Sequence, residues 1–188
     1  MILKNLRLAN YLERKKNSYI PNEIFKLVNL KELYINSINL KALPKDIGNL
    51  INLEELAIGG DCKLKKLPKE IGKLTNLKKL EIRCEKLNEL PKELFNLTNL
   101  KEFEIRSENL EKLPNEIANF VNLKSLIISC DKLVKLPNEI CNFSKLENME
   151  IACENLKELP HEIGNLKKLK YFTLWESNLK KFLKSLGI

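Results

Sequence analysis

The 188-residue sequence lacks any apolar run near the roughly 18 to 20 residues that a membrane-spanning helix needs. Its first 21 residues mix charge with leucine from position 4 onward, so they do not resemble a secretory signal. Histidine and tryptophan occur once each, and glycine only six times. No phosphate loop, nucleophile elbow or dinucleotide fingerprint is present. These absences predict a cytoplasmic protein with no membrane span, no enzyme activity and no cofactor.

Proline, by contrast, is placed with strict regularity. Successive prolines are 23 residues apart, except for one gap of 24, and all of them follow this spacing. They are Pro21, Pro44, Pro68, Pro91, Pro114, Pro137 and Pro160. A fixed period of this length is the signature of a repeat protein.

Each repeat reads LxxLxLxxxxLxxLPxxIxxL, as in the unit that begins at Leu77. The Leu-x-Leu step has the period of two that a half-buried strand requires. After the proline the apolar residues recur every third position, which predicts a helical or 3₁₀ turn with Pro68 at its first position. One unit buries too few side chains to offset its conformational entropy, so neighbouring units have to stack.

With this motif the sequence resembles leucine-rich-repeat proteins of the 23-residue class that carry the LPxxIxxLxxL ending. It is similar to plant intracellular Ras-group-related proteins, animal Ras-binding scaffolds, and repeat proteins of spirochaetes and Bacteroidetes. The resemblance covers residues 1–180 and implies an α/β fold. That fold is a leucine-rich-repeat solenoid, a curved right-handed superhelix with a parallel sheet on its concave face and short helical or 3₁₀ segments on its convex face.

We therefore predict a single leucine-rich-repeat domain over residues 1–188. Its parts are an N-terminal partial repeat at 1–20, repeats of about 23 residues at 21–179, and a C-terminal cap at 180–188. Two repeats carry extra residues, in GGDCKL and in NYLERKKNSY, and both insertions should bulge at a strand exit.

The repeat departs from its family where asparagine normally follows the strand, because most repeats have an acidic residue there. A buried row of carboxylates is electrostatically implausible. We expect the small residue just before the acid to turn inward and the acid to turn outward. The small residues are Ser37, Cys84, Ser107, Cys130 and Cys153. The alternative substitutes for the usual asparagine lie one position after the acidic column and are Asn39, Asn109, Asn155 and Asn178.

The sequence offers little catalytic chemistry. The single histidine, His161, occupies a column of surface residues. No cysteine pair has metal-ligand spacing. Cys130 and Cys153 share a column in adjacent repeats, so a disulfide is geometrically conceivable, but we expect reduced, buried thiols, as in a reducing compartment. Catalytic, metal and cofactor sites are thus predicted to be absent.

The net charge of +8 is not concentrated where a nucleic acid would bind. The three outward columns of the strands hold six acids and three bases, a net charge of −3. Aromatic residues interleaved with a basic stripe are missing, so nucleic-acid binding is not expected.

The concave face is instead predicted to bind a protein partner, with the chain acting as a monomeric scaffold or recognition module. The predicted contact residues are Tyr34, Glu81, Arg83, Glu104, Arg106, Ile127, Glu150, Tyr171 and Trp175. The four charged residues from Glu81 to Arg106 are either a mutually neutralising lattice or a selective polar site. Tyr171 and Trp175 are either an interface patch or packing beneath the cap, whereas Tyr34 is expected to be isolated.

Two other functions fit the pattern less well. A receptor for a glycan or small ligand would need rows of aromatic residues on the concave face, which are scarce. The chain could also be the recognition part of a bacterial effector whose enzymatic domain is absent.

Overall fold

The computed structural model describes residues 3–9, 20–37 and 39–175. They form eight strands that alternate with seven 3₁₀ segments. The strands are β1 (Asn5–Ala9), β2 (Glu32–Asn36), β3 (Glu55–Gly59), β4 (Lys79–Arg83), β5 (Glu102–Ser107), β6 (Ser125–Cys130), β7 (Asn148–Ala152) and β8 (Tyr171–Trp175). The 3₁₀ segments are Asn22–Lys26, Lys45–Asn49, Lys69–Lys73, Lys92–Asn96, Asn115–Asn119, Asn138–Asn142 and His161–Asn165.

The eight strands form one parallel sheet in sequence order, β1 to β8. Each strand pairs with the next in the register of the repeat, so equivalent residues lie side by side across the sheet. The predicted solenoid, with its parallel sheet and its short 3₁₀ turns on the opposite face, is confirmed. The predicted cap at 180–188 and the bulge within NYLERKKNSY lie outside the described residues.

The apolar columns of the repeat form one continuous core between the sheet and the 3₁₀ segments. In the strand column that contains Leu80, the side chains from Leu33 to Met149 are almost fully buried. Phe120 packs against both Phe95 and Phe103, with ring centroids 5.3 Å apart in each pair. Each unit is therefore covered by its neighbours, as the energetic argument from the sequence requires.

The prolines lie one position earlier than predicted. Pro68 is not the first helical residue but the residue before it, with an extended backbone (φ −68°, ψ 144°). Its carbonyl accepts the first hydrogen bond of the turn, from the amide of Ile71 at 3.1 Å. The same arrangement recurs, for example at Pro91 and Leu94. Proline here sets the direction in which the chain enters the turn, and its missing N–H costs no bond.

The residues at the strand exits behave as expected, with small side chains turned inward and acids turned outward. Ser107 and Cys130 are buried, whereas Glu85 and Glu108 are exposed. The Ser107 hydroxyl donates to the carbonyl of Leu87 at 2.5 Å. The amides of Asn109 and Asn155 donate to carbonyls of the preceding repeat, at 3.0 and 2.8 Å. These bonds replace the family's usual asparagine row.

A separate asparagine ladder precedes the strands, and we had not predicted it. In four consecutive repeats an asparagine side chain donates to a backbone carbonyl of the preceding repeat, at 2.8 to 2.9 Å. The donors are Asn52, Asn76, Asn99 and Asn122. The signal for this ladder in the sequence is an Asn-Leu pair at the start of five consecutive units, from Asn29-Leu30 to Asn122-Leu123.

The extra residue in GGDCKL does bulge at the exit of β3, as predicted. Gly60 adopts a left-handed conformation (φ +82°), which glycine tolerates without steric cost. The detour turns Cys62 into the core, where it forms a disulfide with Cys84 across a Cα–Cα distance of 5.3 Å. The expectation of reduced thiols is therefore wrong for these two residues, whereas Cys130 and Cys153 are free and buried.

This pairing predicts the result of thiol counting. Alkylation of the denatured, unreduced protein should label three cysteines, and prior reduction should raise the number to five. Mass spectrometry of the labelled tryptic peptides should place the protected pair at Cys62 and Cys84. Labelling of all cysteines without reduction would contradict the pairing.

Two glycines at equivalent positions of the repeat differ in their surroundings. At Gly72, a Cβ atom would lie 2.2 Å from the carbonyl oxygen of Glu93 in the next 3₁₀ segment. At Gly164, a Cβ atom would meet nothing within 4 Å. The backbones of neighbouring repeats thus approach each other closely at Gly72, and only a residue without a side chain fits there.

Gly72→Ala should therefore lower the free energy of unfolding by about 1–3 kcal/mol, because the added methyl forces two backbones apart. Gly164→Ala is the matched control and should be neutral or stabilise the fold by up to about 1 kcal/mol, because it only restricts the unfolded chain. Urea denaturation of both variants tests this difference. Equal midpoints would contradict the close approach.

Candidate interaction surface

The outward side chains of the strands form three columns across the concave face of the sheet. All nine residues predicted to contact a partner lie in these columns. The structure adds a further residue, because Arg7 of β1 pairs in register with Tyr34 of β2. Counting Arg7 makes the net charge of the columns −2 instead of −3.

The predicted charged lattice is present on β4 and β5. Arg83 makes two hydrogen bonds to Glu104, from Nε at 2.7 Å and from a terminal nitrogen at 3.0 Å. Arg106 donates to the same carboxylate at 2.5 Å. Arg83 also lies 3.1 Å from Glu81, and Lys79, which the sequence analysis did not include, lies 2.9 Å from Glu81.

Glu104 is the centre of this lattice and is only 7% exposed. Burial alone would raise the pKa of Glu104, but hydrogen bonds from Arg83 and Arg106 outweigh this effect and lower the pKa below its usual value. The pKa of Arg83 is raised, mainly by its bond to Glu104. Of the two alternatives left open, this geometry favours mutual neutralisation.

Tyr34 is not isolated, contrary to expectation. Its hydroxyl donates to Glu55 at 2.7 Å, and the guanidinium of Arg7 lies 4.9 Å from its ring centroid. The hydrogen bond to Glu55, with burial as a smaller cause, raises the pKa of Tyr34 to about 12. Arg7 could not be anticipated as its partner, because it belongs to the partial repeat before the first proline.

A hollow of about 350 Å³ lies beside Tyr34 on the concave face. Ala57 and Gly59 of β3 contribute to its lining, as do Glu81 and Arg83 of β4. The hollow arises because β3 carries two of the smallest residues outward between strands with long side chains. It brings together three residues that the sequence predicted as contacts, Tyr34, Glu81 and Arg83.

The strands β6 to β8 form a different surface, which we call the C-terminal patch. Its outward residues are small or uncharged except for one glutamate: Ser125, Ile127, Ser129, Asn148, Glu150, Ala152, Tyr171, Thr173 and Trp175. Tyr171 is 69% exposed and Trp175 is 55% exposed. The predicted cap at 180–188 lies outside the described residues, so packing of Tyr171 and Trp175 beneath it stays a prediction.

The column at the strand entries is largely basic, and its two acids, Glu54 and Glu147, are paired. Glu54 lies between Lys31 and Lys78 and forms ion pairs with both. Hydrogen bonds from these lysines lower the pKa of Glu54 to about 2. Lys170 donates to Glu147 at 2.6 Å, which lowers the pKa of that carboxyl group. This edge is therefore partly neutralised.

A larger hollow, of about 900 Å³, lies off the concave face among the loops that follow the strands. Its apolar lining includes Leu113, Val134 and Leu136, and the remaining lining is mainly charged or amide side chains. None of the predicted contact residues lines it. No pattern in the sequence predicts this hollow.

The cysteines and the histidine are not arranged for nucleophilic chemistry. Burial raises the pKa of Cys130, Cys141 and Cys153, which disfavours the reactive thiolate. His161 is exposed at the start of the last 3₁₀ segment.

Within residues 3–9, 20–37 and 39–175, no helix is long and apolar enough to cross a membrane.

Comparison with known proteins assigns the family. The family model described as leucine-rich repeat region matches residues 1–113 and 92–188, which together include the whole chain. The chain therefore belongs to the leucine-rich-repeat proteins. No curated protein matches it.

Solved structures support the same fold. A leucine-rich-repeat protein of Leptospira interrogans has 29% identity and a TM-score of 0.71, over 93% of this chain and 49% of that one. The plant peptide hormone receptor RGFR1 in complex with RGF2 has 29% identity and a TM-score of 0.65, over 85% and 30%. Internalin C2 of Listeria monocytogenes, at 18% identity, shows the fold alone, with a TM-score of 0.63 over 82% and 66%. The chain thus spans about half the length of the Leptospira protein.

The Glu104 site predicts a pH-dependent contribution to stability. Because the pKa of Glu104 is lower in the folded state, its ionised form stabilises the fold at pH values above the unfolded pKa of about 4.3. This stabilisation is lost as the pH falls through the folded pKa. At pH 7, Glu104→Gln should lower the free energy of unfolding by about 1–2 kcal/mol, because it removes the charge that both arginines bind. The loss is no larger because solvent screens the half-exposed arginines. The difference from wild type should shrink as the pH is lowered from 7 to 3.

Glu150→Gln is the control, because Glu150 lies in the same column without an ion pair in the described part of the chain. It should change stability by less than about 0.5 kcal/mol at any pH in this range. Denaturant unfolding at several pH values measures both variants. A constant Glu104→Gln penalty down to pH 3 would contradict the assigned role.

Proposed function

We propose that this protein is a non-catalytic recognition module or scaffold that binds a protein partner on the concave face of its sheet. The observation that carries the proposal is the C-terminal patch, where two large aromatic side chains are mostly exposed beside small, uncharged residues. Tyrosine and tryptophan in such positions dominate many protein interfaces, because they bury a large area at low entropic cost.

The charge distribution of the concave face supports the same assignment. On β4 and β5 the ionised groups satisfy one another, so a partner would have to break existing bonds to use them. On β6 to β8 only Glu150 carries a charge, so little desolvation opposes contact. We therefore place the main contact on the C-terminal patch, with the hollow beside Tyr34 as a second contact.

The relatives support a protein partner in general terms. One of them, the plant peptide hormone receptor RGFR1, was solved in complex with RGF2. That precedent concerns a longer chain, of which this one covers 30%. Monomeric state and cytoplasmic location stay predictions. The disulfide between Cys62 and Cys84 removes one argument for a cytoplasmic location, namely that all cysteines are reduced.

The double variant Tyr171→Ala, Trp175→Ala should lose most partner binding, by about 2 kcal/mol or more if either residue is a hot spot. Its thermal stability should stay near that of wild type, because both side chains are exposed. Affinity capture from a native lysate, followed by quantitative mass spectrometry, measures the loss for each captured protein.

The matched control is Ile51→Ala, Val121→Ala. These apolar side chains are 53% and 56% exposed but lie outside the strands, before β3 and β6. Capture should persist in this control. Equal loss in both double variants would remove the concave face from the proposed function. Unfolding of the aromatic variant would assign Tyr171 and Trp175 to packing beneath the cap instead.

A further inference from the structure

Glu150 is the one charged residue among the outward side chains of β6 to β8. It lies in the middle column of β7, directly between Ile127 of β6 and Thr173 of β8. Within the described residues it makes no ion pair, unlike Glu81, Glu102 and Glu104 on the neighbouring half of the sheet. A carboxylate is thus available at the centre of the C-terminal patch.

The two exposed aromatic residues flank this carboxylate. Tyr171 and Trp175 lie on either side of Thr173 on β8, and Thr173 pairs directly with Glu150. Both aromatic residues are therefore diagonal neighbours of Glu150 across one strand gap. Diagonal neighbours in a sheet are about 7–8 Å apart at their backbones, within reach of aromatic and long side chains. A side chain placed over Thr173 would therefore be within reach of Glu150 and of both aromatic residues.

The charges around Glu150 favour a cation as its ligand. The outward neighbours of Glu150 on β6 and β7 are Ser125, Ser129, Asn148 and Ala152, and none of them is basic. At the exit of β6, Asp131 adds a charge of the same sign. Lys170, just before β8, is bonded to Glu147, and Lys132 beyond β6 donates to Asn109.

We propose that Glu150, Tyr171 and Trp175 form a receptor for one arginine side chain of an extended partner segment. The guanidinium would donate hydrogen bonds to the Glu150 carboxylate, and a charge-assisted pair of this kind is stronger than a neutral one. Its flat face would stack on the ring of Trp175 or Tyr171, an arrangement that arginine adopts more readily than lysine. This proposal rests on the proposed function and adds the chemistry of the partner.

Tryptophan fluorescence reports directly on this site, because Trp175 is the only tryptophan in the chain. The probe is hexa-arginine peptide, titrated into the full chain at about 150 mM salt, where the Debye length is about 8 Å and distant charges are screened. Hexaglutamate serves as the peptide of opposite charge. The expected result is a saturable change in emission with hexa-arginine and none with hexaglutamate.

Three variants assign the response. Glu150→Gln should weaken hexa-arginine binding about tenfold, and Tyr171→Ala should weaken it about threefold, since each removes one partner of the cation. Glu102→Gln is the matched control, because it removes a concave carboxylate from β5, which lies two strands away from Glu150, and it should leave binding unchanged. Equal affinity of wild type and Glu150→Gln, or equal binding of hexaglutamate, would overturn the proposal.

The outcome separates this proposal from the proposed function. If hexa-arginine does not bind but the Tyr171→Ala, Trp175→Ala variant still loses partner capture, the arginine receptor is wrong and the concave-face function stands. If binding depends on Glu150 but capture is unaffected by the aromatic substitutions, the receptor stands and the C-terminal patch is not the main contact of the proposed function.

Discussion

The whole structure depends on the contact between one repeat and the next. Inward strand side chains from Leu33 to Met149 are at most 2% exposed, because a neighbouring unit covers each of them. Phe172, the equivalent residue in β8, is 36% exposed and has no described repeat beyond it. Hydrogen bonds follow the same rule, since asparagine side chains in successive units donate to carbonyls of the unit before. Because stability resides in these interfaces, the apolar columns keep a strict period while the outward columns are free to vary.

That rule explains how much of the fold could be predicted. Period, strand position and the inward turn of Ser107 and Cys130 all follow from residues that must be buried in every unit. The disulfide did not follow, because the extra residue after Gly60 shifts Cys62 by one position relative to the repeat, so the column alignment hid its neighbour Cys84. Local geometry also decided the proline positions, where extended and helical conformations both satisfy the ring.

The candidate site was less predictable, since outward positions are not fixed by packing. Alternating charges on β4 and β5 suggested the lattice, but not that Glu104 would be buried between two arginines. Tyr34 was predicted to be isolated because one partner, Arg7, lies outside the regular columns and the other, Glu55, lies on the neighbouring strand. Side-chain reach, and not sequence spacing, determines which of these residues meet.

The contrast between the two halves of the concave face bears on recognition. In the lattice each ionised group already has a partner, and a ligand gains from it only the difference between a new bond and an existing one. At Glu150 there is no such competing bond among the described residues, and two exposed aromatic residues are its diagonal neighbours. An approaching cation there replaces solvent instead of a protein partner. The half of the sheet with fewer charges is consequently the half where a single charge can discriminate between ligands, because an uncharged or acidic segment would leave that carboxylate desolvated and unpaired.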